Sequence, residues 1–284
     1  MPRLETRWFI DVYKKKEDMN NQLLEFAKLD FNMVQATLQE DVKYASKWWK
    51  KLGLGEITMS FARDRLVENF LWTIGIIYEP QFAYCRRQIA QINCLLTTID
   101  DAYNVYGSFE ELKHFTYAVE RWDIKAVEKL PHCMKICFLA LYNNTNQMAY
   151  DIMKEQGVDI SILLILSYFR APSTFLGRCM KSIPGRGPMD EIVRGDVQKS
   201  IQCYMHDTGT SEESARKYIQ DLIGKTWKKK NKERVGDSHL PQPFINAAVG
   251  LARMAQCMYQ YGDGHGVPDR ETKDRVNTLL IESI

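Results

Sequence analysis

Apolar residues recur with a helical period along most of this chain. Between positions 20 and 41 the pattern is close to the 3.6-residue period of an α-helix, with apolar residues at 23, 24, 26, 29, 31, 33, 34 and 38. No stretch alternates apolar and polar residues as a half-buried strand requires. The pattern predicts an all-α protein, with helices over residues 20–41, 65–78, 81–105, 109–121, 139–155, 211–227 and 243–261.

Proline and glycine divide these helices. Pro80 separates two apolar-rich stretches, because the residue before a proline is disfavoured in a helix. Three further segments, 52–55, 182–188 and 261–266, are rich in glycine or proline and predict loops. The segment 182–188 has two prolines and two glycines and cannot be the interior of a helix.

Composition narrows the function classes. The chain has 284 residues, 26% charged and 45% hydrophobic, and a formal net charge of +2, which is ordinary for a globular protein. A near-zero net charge gives no global basic field, so nucleic acid is not an expected partner. The longest apolar run, 160–169, is too short to span a bilayer. The first residues are charged from position 3, so we expect no targeting segment.

The seven cysteines form no CxxC pair. Cys133 and Cys137 lie one helical turn apart beside His132, a spacing that admits a zinc site. The favoured interpretation is a set of buried free thiols in a reducing compartment.

The strongest chemical signal is the end of the helix predicted over 81–105. Asp100 and Asp101 are adjacent there, and Asn104 follows within one turn, so these side chains share one helix edge with Thr97. Oxygen ligands without imidazole or thiolate suit Mg²⁺ or Mn²⁺. Acidic residues at a helix C-terminus oppose the helix dipole. Because this placement costs stability, it favours a functional role for the acids over the alternative of a solvated helix end.

Two upstream features complete the pattern. Arg63 and Arg65 flank Asp64, and guanidinium groups bind phosphate in a bidentate manner. Trp72 lies two helical turns later, and an aromatic face can stabilise a cation. A surface salt-bridge cluster and a core tryptophan are the structural alternatives. Together with the paired carboxylates, the arginines indicate a diphosphate site.

These features, in this order, resemble the C-terminal metal-binding domain of plant class I terpene synthases. The similarity covers most of the chain and is carried by residues 1–13, 24–35, 48–56, 61–72, 79–90, 97–108, 194–205 and 261–269. The opening and the arginine segment are more similar to the monoterpene synthase subfamily than to the sesquiterpene one. The resemblance implies a class I terpenoid synthase helical bundle around an apolar cavity, as a single domain over residues 1–284.

The implied activity is that of a Mg²⁺-dependent lyase, with Mn²⁺ as an alternative metal. Three metal ions and basic side chains would bind a prenyl diphosphate, which in this subfamily is geranyl diphosphate. Ionisation of that substrate would release diphosphate and a terpene. By resemblance, the metal ligands are Asp100, Asp101, Asn104 and Glu191. The residues that match catalytic positions are Arg63, Arg65, Trp72 and Lys199, and the loop 261–266 matches the lid of the active site.

The chain departs from the family in its second half. Asn104 stands where the family has a third aspartate. In the second metal motif Glu191 is the one ligand position retained, because Ile183 and Gly187 occupy the others. Several dozen residues between 157 and 194 are missing relative to the family, with an atypical junction at about 158–190. We therefore expect an incomplete bundle that lacks part of one cavity wall, and an N-terminal helical domain is also expected to be absent.

The departures leave several alternatives open. The chain is expected to be a terpene synthase with impaired activity; a catalytically dead truncated paralogue or an artefact of gene prediction is the first alternative. A prenyl chain-elongating transferase is the second, although it needs two aspartate-rich motifs and the sequence shows one. The family implies a chloroplast location, and the lack of a targeting segment leaves the cytoplasm as the alternative. The sequence indicates no oligomeric state.

Overall fold

The computed structural model describes residues 3–54, 64–102, 107–156, 200–235, 242–259 and 270–284. Within these ranges the regular structure is helical, which confirms the all-α prediction. No helix in the described ranges is both long enough and apolar enough to cross a membrane. The α-helices are α1 (Thr6–Tyr13), α2 (Asn21–Leu52), α3 (Leu66–Ile76), α4 (Ala83–Asp101), α5 (Phe109–Arg121), α6 (His132–Gln156), α7 (Ser200–Thr208), α8 (Glu212–Val235), α9 (Gln242–Tyr259) and α10 (Arg270–Val276).

Helix α2 is longer than the sequence pattern predicts. It was expected to end at position 41 but continues to Leu52. Asp41 is charged yet completely buried, so the change from apolar to charged residues does not mark the end of the helix. Gly53 ends it with a backbone φ of 67°, a left-handed conformation that glycine adopts without steric cost.

Two other helix boundaries also differ from the prediction. Helix α6 begins at His132 instead of 139, directly after Pro131, whose carbonyl accepts from the Lys135 N–H at 2.9 Å; proline is tolerated in the first turn of a helix. Helix α8 continues past 227 to Val235. Within that extension the Lys230 ammonium donates to the Ala248 carbonyl and lies 5.8 Å from the Trp227 ring. The lysines at positions 228, 229, 230 and 232 therefore lie inside this helix and not at its end.

Helix α4 is shared by the two main hydrophobic clusters of the described residues. Its C-terminal half packs into a cluster with α5, α6 and the 3₁₀ turn Ile124–Lys129. Ala90, in its N-terminal half, belongs to a second cluster with α1, α2, α3, α9 and the C-terminal residues Leu279 and Leu280. Packing on both sides fixes α4 as a central element of the fold.

A buried ion pair joins α2 to α4. Asp41 and Arg86 are both completely buried. The Arg86 Nε and Nη2 atoms donate to Asp41 Oδ2 at 2.8 and 2.6 Å, and Arg87 Nε donates to Asp41 Oδ1 at 2.6 Å. A further donor of Arg86, Nη1, reaches the Glu79 carbonyl at 2.8 Å. Such hydrogen bonding satisfies groups whose burial would otherwise be costly.

Helix α9 lies against the backbone of α3 at a glycine. A Cβ atom on Gly250 would lie 2.9 Å from the Ile76 carbonyl oxygen and 3.0 Å from the Gly75 carbonyl oxygen. These backbone atoms cannot move as a side chain can. We expect Gly250→Ala to destabilise the protein by about 1–3 kcal/mol, because it overpacks this contact, as measured by urea unfolding.

Gly224 of α8 provides the matched control. A Cβ there would meet nothing within 4 Å. Gly224→Ala should therefore stabilise the protein by up to about 1 kcal/mol, through helix propensity alone. Equal changes in the free energy of unfolding from the two substitutions would contradict the close approach of α9 to α3.

Candidate metal and diphosphate site

Helices α3 and α4 form an antiparallel hairpin. Residues 77–82 join the end of α3 to the start of α4, and Arg86 near that start reaches the Ile77 carbonyl at 3.4 Å. At the other end of the hairpin, Asn69 of α3 contacts Thr97 of α4. The first residues of α3 and the last residues of α4 therefore meet at the same end.

The end of α4 carries the paired carboxylates. Asp101 is completely buried, whereas Asp100 is partly exposed. Asp101 shares a helix face with Thr97 and Cys94, which precede it by four and seven residues. The negative end of the helix dipole adds to the charge of both acids. This end of α4 is thus suited to a cation.

Arg65 lies at the facing end of α3, where it is the N-cap residue. Its Nη1 atom is 3.4 Å from Glu68 Oε1, and both side chains are mostly buried, at 16% and 12% exposed. A pair in this setting restricts the orientation of the guanidinium group more than a surface pair does. The positive end of the α3 dipole lies beside it.

A partly buried polar contact connects the two ends. The Asn69 Nδ2 atom donates to Thr97 Oγ1 at 3.2 Å and lies 3.7 Å from Cys94 Sγ. Burial raises the pKa of the Cys94 thiol to about 12, although the hydrogen bond from Asn69 acts to lower it, so the thiol stays neutral at physiological pH. The arginine end of α3 thus adjoins the carboxylate end of α4, as the diphosphate interpretation requires.

Trp72 lies on the same face of α3 as Arg65 and Asn69, by its spacing of seven and three residues. It is partly buried at the side of the second hydrophobic cluster. Its ring meets that of Tyr259 edge-on, with centroids 6.0 Å apart. The tryptophan is therefore neither a fully buried core residue nor a fully exposed one, and its contact with a cation remains a prediction.

The other candidate residues lie outside the described part of the chain. These are the remaining arginine of the pair, the amide ligand, the second-motif glutamate and the lysine: Arg63, Asn104, Glu191 and Lys199. The loops 182–188 and 261–266 and the junction at 158–190 also lie outside it. Their roles stay predictions from the sequence.

The cysteine pair of α6 fits buried thiols and not zinc. Cys133 and Cys137 are buried free cysteines, whereas the adjacent His132 is exposed. Burial raises the pKa of the Cys137 thiol to about 12. Within the described ranges, no three His, Cys, Asp or Glu side chains gather into a metal-binding group.

The donor set at the end of α4 nevertheless fits Mg²⁺ bound jointly with a phosphate. Magnesium is usually held by one or two carboxylates together with substrate phosphates, and not by a cage made of protein groups alone. Asp100 and Asp101 would supply the carboxylates, and Arg65 would supply a phosphate donor at the facing helix end. The sequence did not single out Asn69, because only the folded hairpin brings its amide to Thr97.

Comparison with known proteins decides the family. The metal-binding domain of the terpene synthase family matches residues 50–171 and 167–229. The chain belongs to the terpene synthase family. It is 48% identical to a (-)-alpha-terpineol synthase of Vitis vinifera and 46% identical to a chloroplastic myrcene synthase of Quercus ilex, with 100% of this chain and 58% of each relative covered. Among its relatives it thus lies close to monoterpene synthases.

Solved terpene synthases share the fold. The isoprene synthase of grey poplar leaves, in complex with three Mg²⁺ ions and dimethylallyl-S-thiolodiphosphate, matches with a TM-score of 0.84 and 37% identity, over 99% of this chain and 65% of that one. A limonene synthase with 2-fluorolinalyl diphosphate also matches with a TM-score of 0.84, at 36% identity, over 99% of this chain and 63% of that one. The described helices therefore have the class I terpene synthase fold, in part.

The chain is shorter than these terpene synthases. It spans 58% of the length of the curated relatives named above. The alignment with the Vitis vinifera relative runs over 345 positions, although this chain has 284 residues. The family domain also matches in two pieces that meet at 167–171.

Proposed function

We propose that this chain binds a prenyl diphosphate with a divalent metal at the end of α4 and ionises it, with geranyl diphosphate as the substrate. The observation that carries the proposal is the meeting of the Arg65 end of α3 with the carboxylate end of α4. It is supported by relatives named for monoterpene products. The chloroplastic name of the Quercus ilex relative also supports a plastid location.

Each side chain has a stated part in this proposal. Asp100 and Asp101 would hold Mg²⁺, or alternatively Mn²⁺, through their carboxylate oxygens. When bound, the metal neutralises negative charge on the departing diphosphate. Arg65, with Arg63, would donate hydrogen bonds to phosphate oxygens, and Lys199 would add a point charge. Trp72 would present an aromatic face toward the carbocation.

We further propose that catalysis by this chain is impaired. Asn104 offers an amide oxygen without charge, and Glu191 is the one ligand position retained in the second motif. The alignment of 345 positions and the two-piece family match support a missing internal segment. Each lost electrostatic contact at a developing charge costs about 10²–10³ in rate. The prenyl chain-elongating alternative has no support from the relatives reported above.

The test compares this chain with a repaired version. In the repaired chain, residues 158–190 are replaced by the matching segment of the Vitis vinifera relative. With geranyl diphosphate and Mg²⁺, we expect the unmodified chain to form terpene slowly, and the repaired chain to be faster by about 10²-fold or more. Gas chromatography measures the product, and chelation of the metal should stop it.

The possible outcomes separate the parts of the proposal. Rapid turnover by the unmodified chain would show that the impairment is wrong while the activity is right. Metal-dependent binding of pyrophosphate without turnover by either protein would favour the dead paralogue. Failure of the unmodified chain to bind pyrophosphate with Mg²⁺ would remove the proposed function itself.

A further inference from the structure

We propose that Asn69 is a positioning residue for the diphosphate site. Its side chain sets the register between α3 and α4, and thereby the separation of the Arg65 guanidinium from the Asp101 carboxylate. The inference rests on the proposed function, because positioning has meaning only if these two groups act on one ligand.

The contact is directional, and it joins the buried Asn69 amide to the partly buried Thr97 hydroxyl. Asn69 is 3% exposed. The Thr97 hydroxyl donates its proton to the Asn93 carbonyl at 2.8 Å, so its oxygen is ready to accept from Asn69 Nδ2 at 3.2 Å. A hydrogen bond of this kind is strengthened by the low dielectric of its surroundings, and leaving either partner unmatched there is costly. The hydrogen bond between Asn69 and Thr97 therefore favours one position of α3 relative to α4.

The apolar part of the contact at this end lacks such direction. Leu66 and Cys94 form a small buried cluster with Ala45 of α2. Burial of apolar surface is favourable but non-directional, so these side chains hold the helices together without fixing their register. Asn69 supplies the direction that the apolar cluster does not.

The contact between Asn69 and Thr97 lies close in the sequence to the two groups that it would place. Asn69 lies four residues after Arg65, and Thr97 lies four residues before Asp101. Each partner is therefore about one helical turn from the group it would place. A slip by one turn moves a side chain by about 5.4 Å, whereas a misplacement of about 1 Å costs on the order of 10²-fold in a reaction that depends on positioning.

A double-mutant cycle tests the inference without relying on turnover. Asn69→Leu removes the donor, Thr97→Val removes the acceptor, and the third variant carries both changes. Binding of pyrophosphate in the presence of Mg²⁺ is measured by calorimetry. We expect each single change to weaken binding by about 10-fold or more, as is typical for groups that orient metal ligands. The double variant should bind no more weakly than the weaker single one, because both changes break the same bond.

Thr73→Val is the matched control. The Thr73 hydroxyl is also buried on α3, but it donates to the Asn69 carbonyl at 2.8 Å and stays within its own helix. Its loss should lower the melting temperature without changing the affinity for pyrophosphate. If Asn69→Leu fails to fold, Thr97→Val alone tests the same bond from α4.

Two results would overturn the inference. Unchanged pyrophosphate affinity in Asn69→Leu or Thr97→Val would make the contact purely structural, and so would additive losses in the double variant. In either case binding by the wild-type chain would leave the proposed function standing. Absence of binding by the wild-type chain would instead mean that the proposed function has failed, and the positioning role with it.

Discussion

Asp101→Asn is expected to weaken Mg²⁺-dependent binding of pyrophosphate by about 10²-fold or more. The substitution keeps the shape of the side chain and removes its charge. Loss of a group that only orients a metal ligand already lowers metal affinity or activity by about 10–100-fold, and loss of a ligand should lower it more. Asp101 is completely buried at the end of α4, beside the arginine end of α3. Any residual turnover of geranyl diphosphate should fall by about 10²–10³.

Asp221→Asn provides the control for the charge change. Asp221 is exposed on α8. It should leave the affinity for pyrophosphate unchanged, and circular dichroism of both variants separates a lost ligand from a lost fold. Equal binding by Asp101→Asn and the wild-type chain would show that the buried acid does not hold the metal.

Asp41→Ala is expected to have the largest effect on stability. It would leave the Arg86 guanidinium completely buried without its carboxylate, and would also release Arg87. Breaking a buried pair by removing one partner destabilises a protein by about 3–5 kcal/mol. The measurement is the free energy of unfolding in urea.

Glu40→Ala is the matched comparison, one residue earlier on the same helix. Glu40 is exposed and pairs at 3.5 Å with Lys43, which is also exposed. Surface pairs of this kind contribute about 0–1 kcal/mol, so its removal should be nearly neutral. A loss from Asp41→Ala as small as that from Glu40→Ala would mean that water or rearrangement compensates the buried arginine.

The helices that the sequence pattern predicted best are those whose ends carry local signals. The range 109–121 agrees with α5, which begins with a capping box between Ser108 and Glu111. The end of α2 could not be predicted in this way, because Asp41 is a charged residue whose burial depends on Arg86, 45 residues later. Charge along the chain does not show which charges are paired inside the fold.

The candidate site also has one part that could be predicted from the sequence and one part that could not. Adjacent carboxylates at a helix end and arginines flanking Asp64 are visible as residue types in a row, so Asp100, Asp101 and Arg65 could be proposed from the sequence. The link through Asn69 could not, because an asparagine in an apolar helix gives no sign of its partner. Asn69 and Thr97 are 28 residues apart and meet only after α3 and α4 have packed.

The short connection between α3 and α4 has a consequence for how this protein can change over evolutionary time. Residues 64–102 build one half of the proposed diphosphate site from neighbouring segments, so few distant contacts are needed to form it. Contacts between nearby segments assemble early and rapidly. A deletion far downstream leaves this half intact. Such a chain can retain the capacity to capture an anion after it has lost the means to transform it, and natural selection can then act on capture alone.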